Sequence, residues 1–248
     1  MRFEKWQACG NDFILVHSSE LPGELAPERV RALCDRRFGV GADGILVVGR
    51  PTGPRWPLAI HNADGSVAES CGNGARCVVR HILDRRDLSE CELDTTGGIV
   101  HGRRDPDGIA IELTAPRVLG PLAVDGSTAW RVDVGNPHIV VFADEVAAID
   151  LSALARAARA AGGDANVEAA HVRSATEVEA RVDERGVGET LACGTGACAT
   201  VAAALSRGLI TDGPASVSLP GGTLTVRPGA ERYVLAGPAE RVYEGVVG

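Results

Sequence analysis

Short runs of β-branched and apolar residues recur along this chain, most of them bounded by glycine, proline or asparagine. "DFILVH" (12–17), "DGILVVG" (43–49), "HIVVFA" (138–143) and "EAAHVRS" (168–174) have the content of strands. The longer stretches "APERVRALCDRRF" (26–38) and "LSALARAARAA" (151–161) read as helices, the first with Pro27 near its start. Two further helices, "CVVRHILDR" (77–85) and "CATVAAALSR" (198–207), open at cysteine–glycine turns. "CELDTTGGIVHGRR" (91–104) and "SVSLPGGTLTVRP" (216–228) look like hairpins turning at a Gly-Gly pair. The pattern predicts an α+β protein, rich in strands with few helices.

The pattern also repeats. "SCGNGARC" (70–77) is echoed by "ACGTGACA" (192–199), and "CGNDFILV" (9–16) by "VGNPHIVV" (134–141). "DTTGGIV" (94–100) returns as "SLPGGTL" (218–224), and "LTAPRV" (113–118) as "LAGPAE" (235–240). One such match is weak, because glycine-rich turns recur by chance. Four in the same order at offsets of 122, 125, 124 and 122 predict two copies of one fold. The expected halves are 1–116 and 117–236, joined in "TAPRVLGPLAVDG", with the C-terminal strand at about 237–248 able to pack back onto the first half.

Composition narrows the class. Hydrophobic residues make up 45% but aromatics only 4%, so the cores must be Val, Leu, Ile and Ala. A net charge of −8 argues against nucleic acid or an anionic membrane as partner. No apolar run approaches the roughly 20 residues of a spanning helix, and the N-terminal residues lack a signal-peptide core, so a cytoplasmic location is expected by default. Seven cysteines are an odd count that reads as reduced thiols. Without a C-x-x-C or H-x-x-x-H pair, and with Cys71/Cys77 and Cys193/Cys198 on different helix faces, no metal site is expected.

A cysteine at the mouth of a glycine-rich turn opening a helix sits at the positive end of the helix dipole, where backbone N–H groups hold anions. The same field is expected to lower the thiol pKa. Cys34, Cys77, Cys91 and Cys198 read as small buried hydrophobes. For Cys71 and Cys193 the doubling suggests a pseudo-twofold arrangement with both thiols facing one cleft. That suits a racemase, in which one thiolate takes a proton from a carbon and the other thiol returns one to the opposite face. Pyridoxal phosphate chemistry needs a lysine, and the only one, Lys5, reads as lying just before a strand and far from any phosphate loop. A reaction without cofactor is favoured.

"GNDF", "FGVGADG", "NADGS", "CGNGARC", "GNPH", "ERGVGET" and "ACGTGACA", in this order, resemble the diaminopimelate epimerase family over nearly the whole chain. The resemblance implies two similar α/β domains around a cleft, a homodimer, and cofactor-free epimerisation of LL-2,6-diaminopimelate to the meso form for lysine and peptidoglycan synthesis. It implies Cys71 and Cys193 as the acid–base pair, with Gly72, Asn73, Gly194 and Thr195 around the reacting carboxylate. It further implies Asn11, Asn62, Asn136, Asn166, Glu184 and Arg185 as substrate contacts, and His138 and Glu184 as tuners of the thiols. The chain departs from the family at Ala8, which replaces a glycine, at Gly44, where many members carry glutamine, and in the loosely similar "GGDANVEAAH" around Asn166. Two other readings are a racemase for another amino acid, proline-racemase-like, and a non-catalytic thiol redox switch.

Overall fold

The computed structural model describes residues 1–248. The chain divides into two compact units, the first Met1–Ile111 with Gly237–Gly248, the second Glu112–Ala236. Along the first run β1 (Arg2–Ala8), β2 (Asn11–His17), α1 (Pro27–Cys34), β3 (Gly44–Val48), β4 (Arg55–Asn62), β5 (Val67–Ala68), α2 (Gly72–Arg86), β6 (Glu90–Thr95), β7 (Gly98–Asp105) and β8 (Gly108–Thr114). Then come β9 (Arg117–Val124), β10 (Ser127–Asp133), β11 (Pro137–Phe142), α3 (Leu151–Gly162), β12 (Asn166–Ser174), β13 (Glu177–Glu184) and β14 (Gly188–Thr190). The chain continues through α4 (Gly194–Ser206), β15 (Ala215–Leu219), β16 (Gly222–Arg227), β17 (Arg232–Gly237) and β18 (Glu240–Val246).

The two units have the same strand grammar. In the first, β1–β2 is antiparallel, β2–β3 parallel, β3–β4 antiparallel, β4–β6 parallel, and β6–β7–β8 antiparallel. In the second, β10 to β13 and then β15 to β17 repeat this sequence of senses. The parallel steps need helical crossovers, supplied by α1 and α2 in one unit and by α3 and α4 in the other. The internal duplication is therefore present in the pairing itself. Its flanking strand is recruited differently: β9 precedes β10 in sequence and pairs with it, whereas β1 is flanked by β18. The stretch expected to join the halves thus carries a strand, with Pro121 of β9 opposite Trp130.

Alternation along the strands sorts side chains between the helices. Ile14, Val16 and Ile45 join Val30 and Leu33 of α1 in one core cluster. Ile139, Val141 and Val167 join Ala155 and Ala158 of α3 in the matching cluster of the second unit. The opposite strand face meets α2 or α4. Helix α4, "GTGACATVAAALS", is buried nearly all round, which its alanine-rich composition permits and a charged face would forbid. Close approach of α2 to β7 depends on Gly102, where a Cβ would lie 2.3 Å from a Val79 methyl. Both glycine turns belong to their helices, since α2 begins at Gly72 and α4 at Gly194. Lys5 lies inside β1, not before it, and is buried against Asp12 and the Gly41 carbonyl.

Candidate active site

Cys71 and Cys193 are the N-cap residues of α2 and α4, each with extended backbone angles. An N-cap side chain accepts a hydrogen bond from the first-turn N–H groups that helix geometry leaves without carbonyl partners. Here the acceptor is sulfur: Gly74 N–H donates to Cys71 Sγ and Gly196 N–H to Cys193 Sγ, both at 3.4 Å. A thiolate accepts such a bond better than a thiol, and the helix dipole acts in the same direction.

In the first unit, Asn73 Nδ2 donates to Asn11 Oδ1 at 3.3 Å, and Asn11 Nδ2 donates to Asp43 at 2.8 Å. The fully buried Arg76 donates to Asn73 Oδ1 at 2.8 Å. Behind Asn11, Arg36 bridges Asp12 and Asp43, and Lys5 pairs with Asp12 at 2.6 Å. Burial alone would raise the Asp12 carboxyl, but Arg36 and Lys5 hold it down at about 2. Asn11 and Asn73 are thus braced from both sides. Asn62 makes a separate bond, to Ser66 at 2.9 Å. Gly44 has no room for a side chain, since a Cβ there would lie 2.5 Å from the His61 carbonyl oxygen.

In the second unit a polar chain leads into the buried Cys193. Glu168 Oε1 meets His138 Nδ1 at 2.7 Å, His138 Nε2 meets Asn136 Oδ1 at 3.1 Å, and Asn136 Nδ2 donates to Thr195 Oγ1 at 3.4 Å. Thr195 Oγ1 in turn lies 3.4 Å from Cys193 Sγ. Glu184 accepts from Thr190 Oγ1 at 2.6 Å, and Asn166 Oδ1 accepts from the Arg185 backbone N–H at 2.9 Å. The Arg185 side chain is half-exposed, 3.8 Å from Asp164.

The expectation that the helix field lowers the thiol pKa fails for Cys193. Burial, then the charges of Glu184 and Glu168, push it well above the ordinary thiol value, outweighing Thr195 and the Gly196 N–H. Burial also pushes Cys34 to about 11 and Cys91 to about 12, and raises Cys77. All seven cysteines are free thiols. No group of three or more His, Cys, Asp or Glu is placed to hold a metal ion, and no helix is long and apolar enough to cross a membrane.

Of the residues expected from sequence, Asn11 and Asn73 meet in the first unit. Asn136, His138, Thr195 and Cys193 form one chain in the second, and Asn166 anchors the backbone of Arg185. Sequence reasoning missed Glu168 and Arg76. The one signal for Glu168 was an acid inside the apolar run "NVEAA".

The family model described as diaminopimelate epimerase matches residues 3–116 and 130–242. A Thermosynechococcus vestitus protein named diaminopimelate epimerase is 38% identical over 287 residues, covering 100% of this chain and 99% of its own. A Burkholderia vietnamiensis protein of the same name is 40% identical over 286 residues, covering 100% and 98%. A solved probable proline racemase from Agrobacterium radiobacter superposes with a TM-score of 0.75 at 13% identity, covering 100% of this chain and 92% of that one. That last likeness concerns the fold alone.

Proposed function

Because the chain belongs to the diaminopimelate epimerase family, and is therefore an isomerase, we propose that it epimerises LL-2,6-diaminopimelate to the meso form with two thiols and no cofactor. The observation that carries this is the paired helix start: in each unit a cysteine sulfur caps a helix and accepts the N–H of the second glycine. One thiolate takes the α-proton, forming S–H as the C–H electron pair stays on carbon. The other thiol breaks its S–H bond and delivers its proton to the opposite face. Backbone N–H groups at Gly72–Asn73 and Gly194–Thr195 are suited to the substrate carboxylate and to the charge that spreads onto it.

Asn11, Asn62, Asn136, Asn166, Glu184 and Arg185 are assigned to the amine and to the distal amino-acid head group, with His138 and Glu184 tuning the thiols. Cofactor independence is supported by the state of Lys5, the chain's sole lysine, which is buried and ion-paired to Asp12. On the resemblance alone we place the protein in lysine and peptidoglycan precursor synthesis, as a cytoplasmic homodimer, a state that sedimentation equilibrium checks.

The test is proton NMR of LL-diaminopimelate in deuterated water. The α-proton signal should be lost as the meso form appears, undiminished by dialysis against chelator. Turnover of proline but not diaminopimelate would replace this reading with the other racemase. Thiol oxidation without α-deuteration would replace it with the redox switch.

A further inference from the structure

The two copies of the cysteine turn rest on different floors. In the first unit a Cβ at Gly74 would lie 2.8 Å from Leu46 Cδ2, 3.6 Å from Phe13 Cζ and 3.6 Å from Cys71 Sγ. In the second, a Cβ at Gly196 would lie 2.6 Å from Glu168 Oε1 and 3.4 Å from Cys193 Sγ. Strand register makes these positions equivalent. Phe13 pairs with Gly44, two residues before Leu46, and His138 pairs with Asn166, two residues before Glu168. The duplication has therefore put Phe13 and Leu46 under one thiol, and His138 and Glu168 under the other.

His138 and Glu168 are each 1% exposed, and Glu168 Oε2 has no hydrogen-bond partner. Burying a carboxylate with one oxygen unmatched is costly, and a hydrocarbon pair of similar volume is often as stable or more so. The first unit shows that this fold accepts such a pair at the same two positions. A costly ionisable pair kept in only one copy points to chemistry at that copy.

This inference rests on the reading of Cys193 as an acid–base group. We propose that Glu168 is a positioning residue that, with His138, gives the Cys193 turn a charged floor and holds Cys193 as the proton donor of the resting protein. The two copies of the turn then play unequal roles. The charged groups near this turn come from β9 to β13. Asp133 of β10 feels His138 and is held by Arg117 of β9, His138 comes from β11, Glu168 from β12 and Glu184 from β13. Asp183 of β13 is paired instead with Arg159. Glu184 and Glu168 are the negative groups that keep the proton on Cys193 sulfur, adding to burial. When that S–H bond breaks, the proton goes to the substrate carbanion and sulfur is left as thiolate beside Glu168. The proton returns from the next α-carbon or from solvent.

Two variants test this: Glu168→Gln, and His138→Phe with Glu168→Leu, which rebuilds the first unit's floor in the second. Iodoacetamide labelling of Cys193 and Cys71 is followed by peptide mass spectrometry at pH 8 without substrate. Thiol ionisation easier by about one pH unit corresponds to about tenfold faster labelling. At least that gain is expected at Cys193 in both variants, with Cys71 within about twofold of wild type and Glu168→Asp close to wild type. In turnover, the alkaline limb of the kcat/KM profile should move to lower pH in Glu168→Gln. Unchanged Cys193 labelling in folded Glu168→Gln overturns the proposal. So does failure of the double variant to fold, which would make the pair a requirement of the fold. Labelling needs no diaminopimelate, so a wild type that does not epimerise it would sink the proposed function and leave this result standing.

Discussion

Replacing Cys193 separates its two roles, because one sulfur both caps α4 and is proposed to move a proton. Alanine removes the acceptor of the Gly196 N–H at 3.4 Å, a loss of about 1 kcal/mol for an N-cap. It also removes a buried sulfur, comparable to a methylene at about 0.8 kcal/mol. The sum, about 2 kcal/mol, corresponds to a fall in Tm of about 4–8 °C for a chain of this size. Serine keeps an acceptor at the cap and is among the preferred N-cap residues, so Cys193→Ser should hold Tm within about 3 °C of wild type. Both variants should lose epimerisation by at least the about 10²–10⁴ that a positioned acid–base group supplies. The assay pairs differential scanning fluorimetry with NMR-monitored epimerisation on the same preparations. A serine variant turning over within tenfold of wild type would refute the acid–base role. A serine variant as destabilised as alanine would refute the cap.

Gly196→Ala drives a methyl to 2.6 Å from Glu168 Oε1, so it should cost about 1–3 kcal/mol in urea unfolding and depress kcat. Gly74→Ala crowds the end of Leu46, with Phe13 and Cys71 at ordinary contact distance, and should depress kcat less, so equal kcat losses would argue against any special floor in the second unit. Burial would raise Glu4, but hydrogen bonds from His81 and Trp6, the His81 charge and Arg85 hold it at about 2, against an ordinary 4.5. With the folded pKa depressed, this stabilisation is present above about pH 4.5 and is lost as pH falls toward 2. Glu4→Gln should therefore lose about 3 kcal/mol at neutral pH and flatten the acid limb of Tm against pH. Arg185→Lys gives up a planar bidentate fork and should lower kcat/KM for diaminopimelate by about tenfold or more. It should cost far less for an analogue lacking the distal head group, and equal losses on both substrates would remove Arg185 from the distal site.

The duplication was legible because the repeated glycines occupy backbone that side chains avoid. Gly10 and Gly135 have φ of 81° and 90°, and Gly98 and Gly222 have φ of 114° and 147°. Such positions constrain sequence locally, so short motifs preserve them. The helix starts were legible for a different reason: a Cβ at Gly74 or Gly196 would lie 2.8 Å from Leu46 or 2.6 Å from Glu168, so glycine is kept there although its backbone is helical. Glu168 was not, because an acid in a strand is read from its neighbours as an outward residue. Its inward direction follows from parallel pairing with β11, thirty positions away. The Cys193 thiol went wrong for a related cause: the helix start is local, but the carboxylates that outweigh it arrive from β12 and β13. Nor did any local signal place Lys5 within a strand, where Asp12 and Gly41 enclose it.

The flanking strand of each unit bears on how the protein is made. The second unit takes β9 from the residues just before β10, so it has all its strands in hand once its own stretch has left the ribosome. The first unit must wait. β18 pairs with β1 from Arg2↔Val246 to Gln7↔Glu240, and the whole of Glu112–Ala236 is translated in between. At about 5–20 residues per second, that is a delay of roughly 6–25 s, during which one edge of β1 is open to any strand nearby. Translation thus imposes an order in which the Cys193 half is complete first. Any stall before residue 240 would yield a chain with one sound half and one exposed seam.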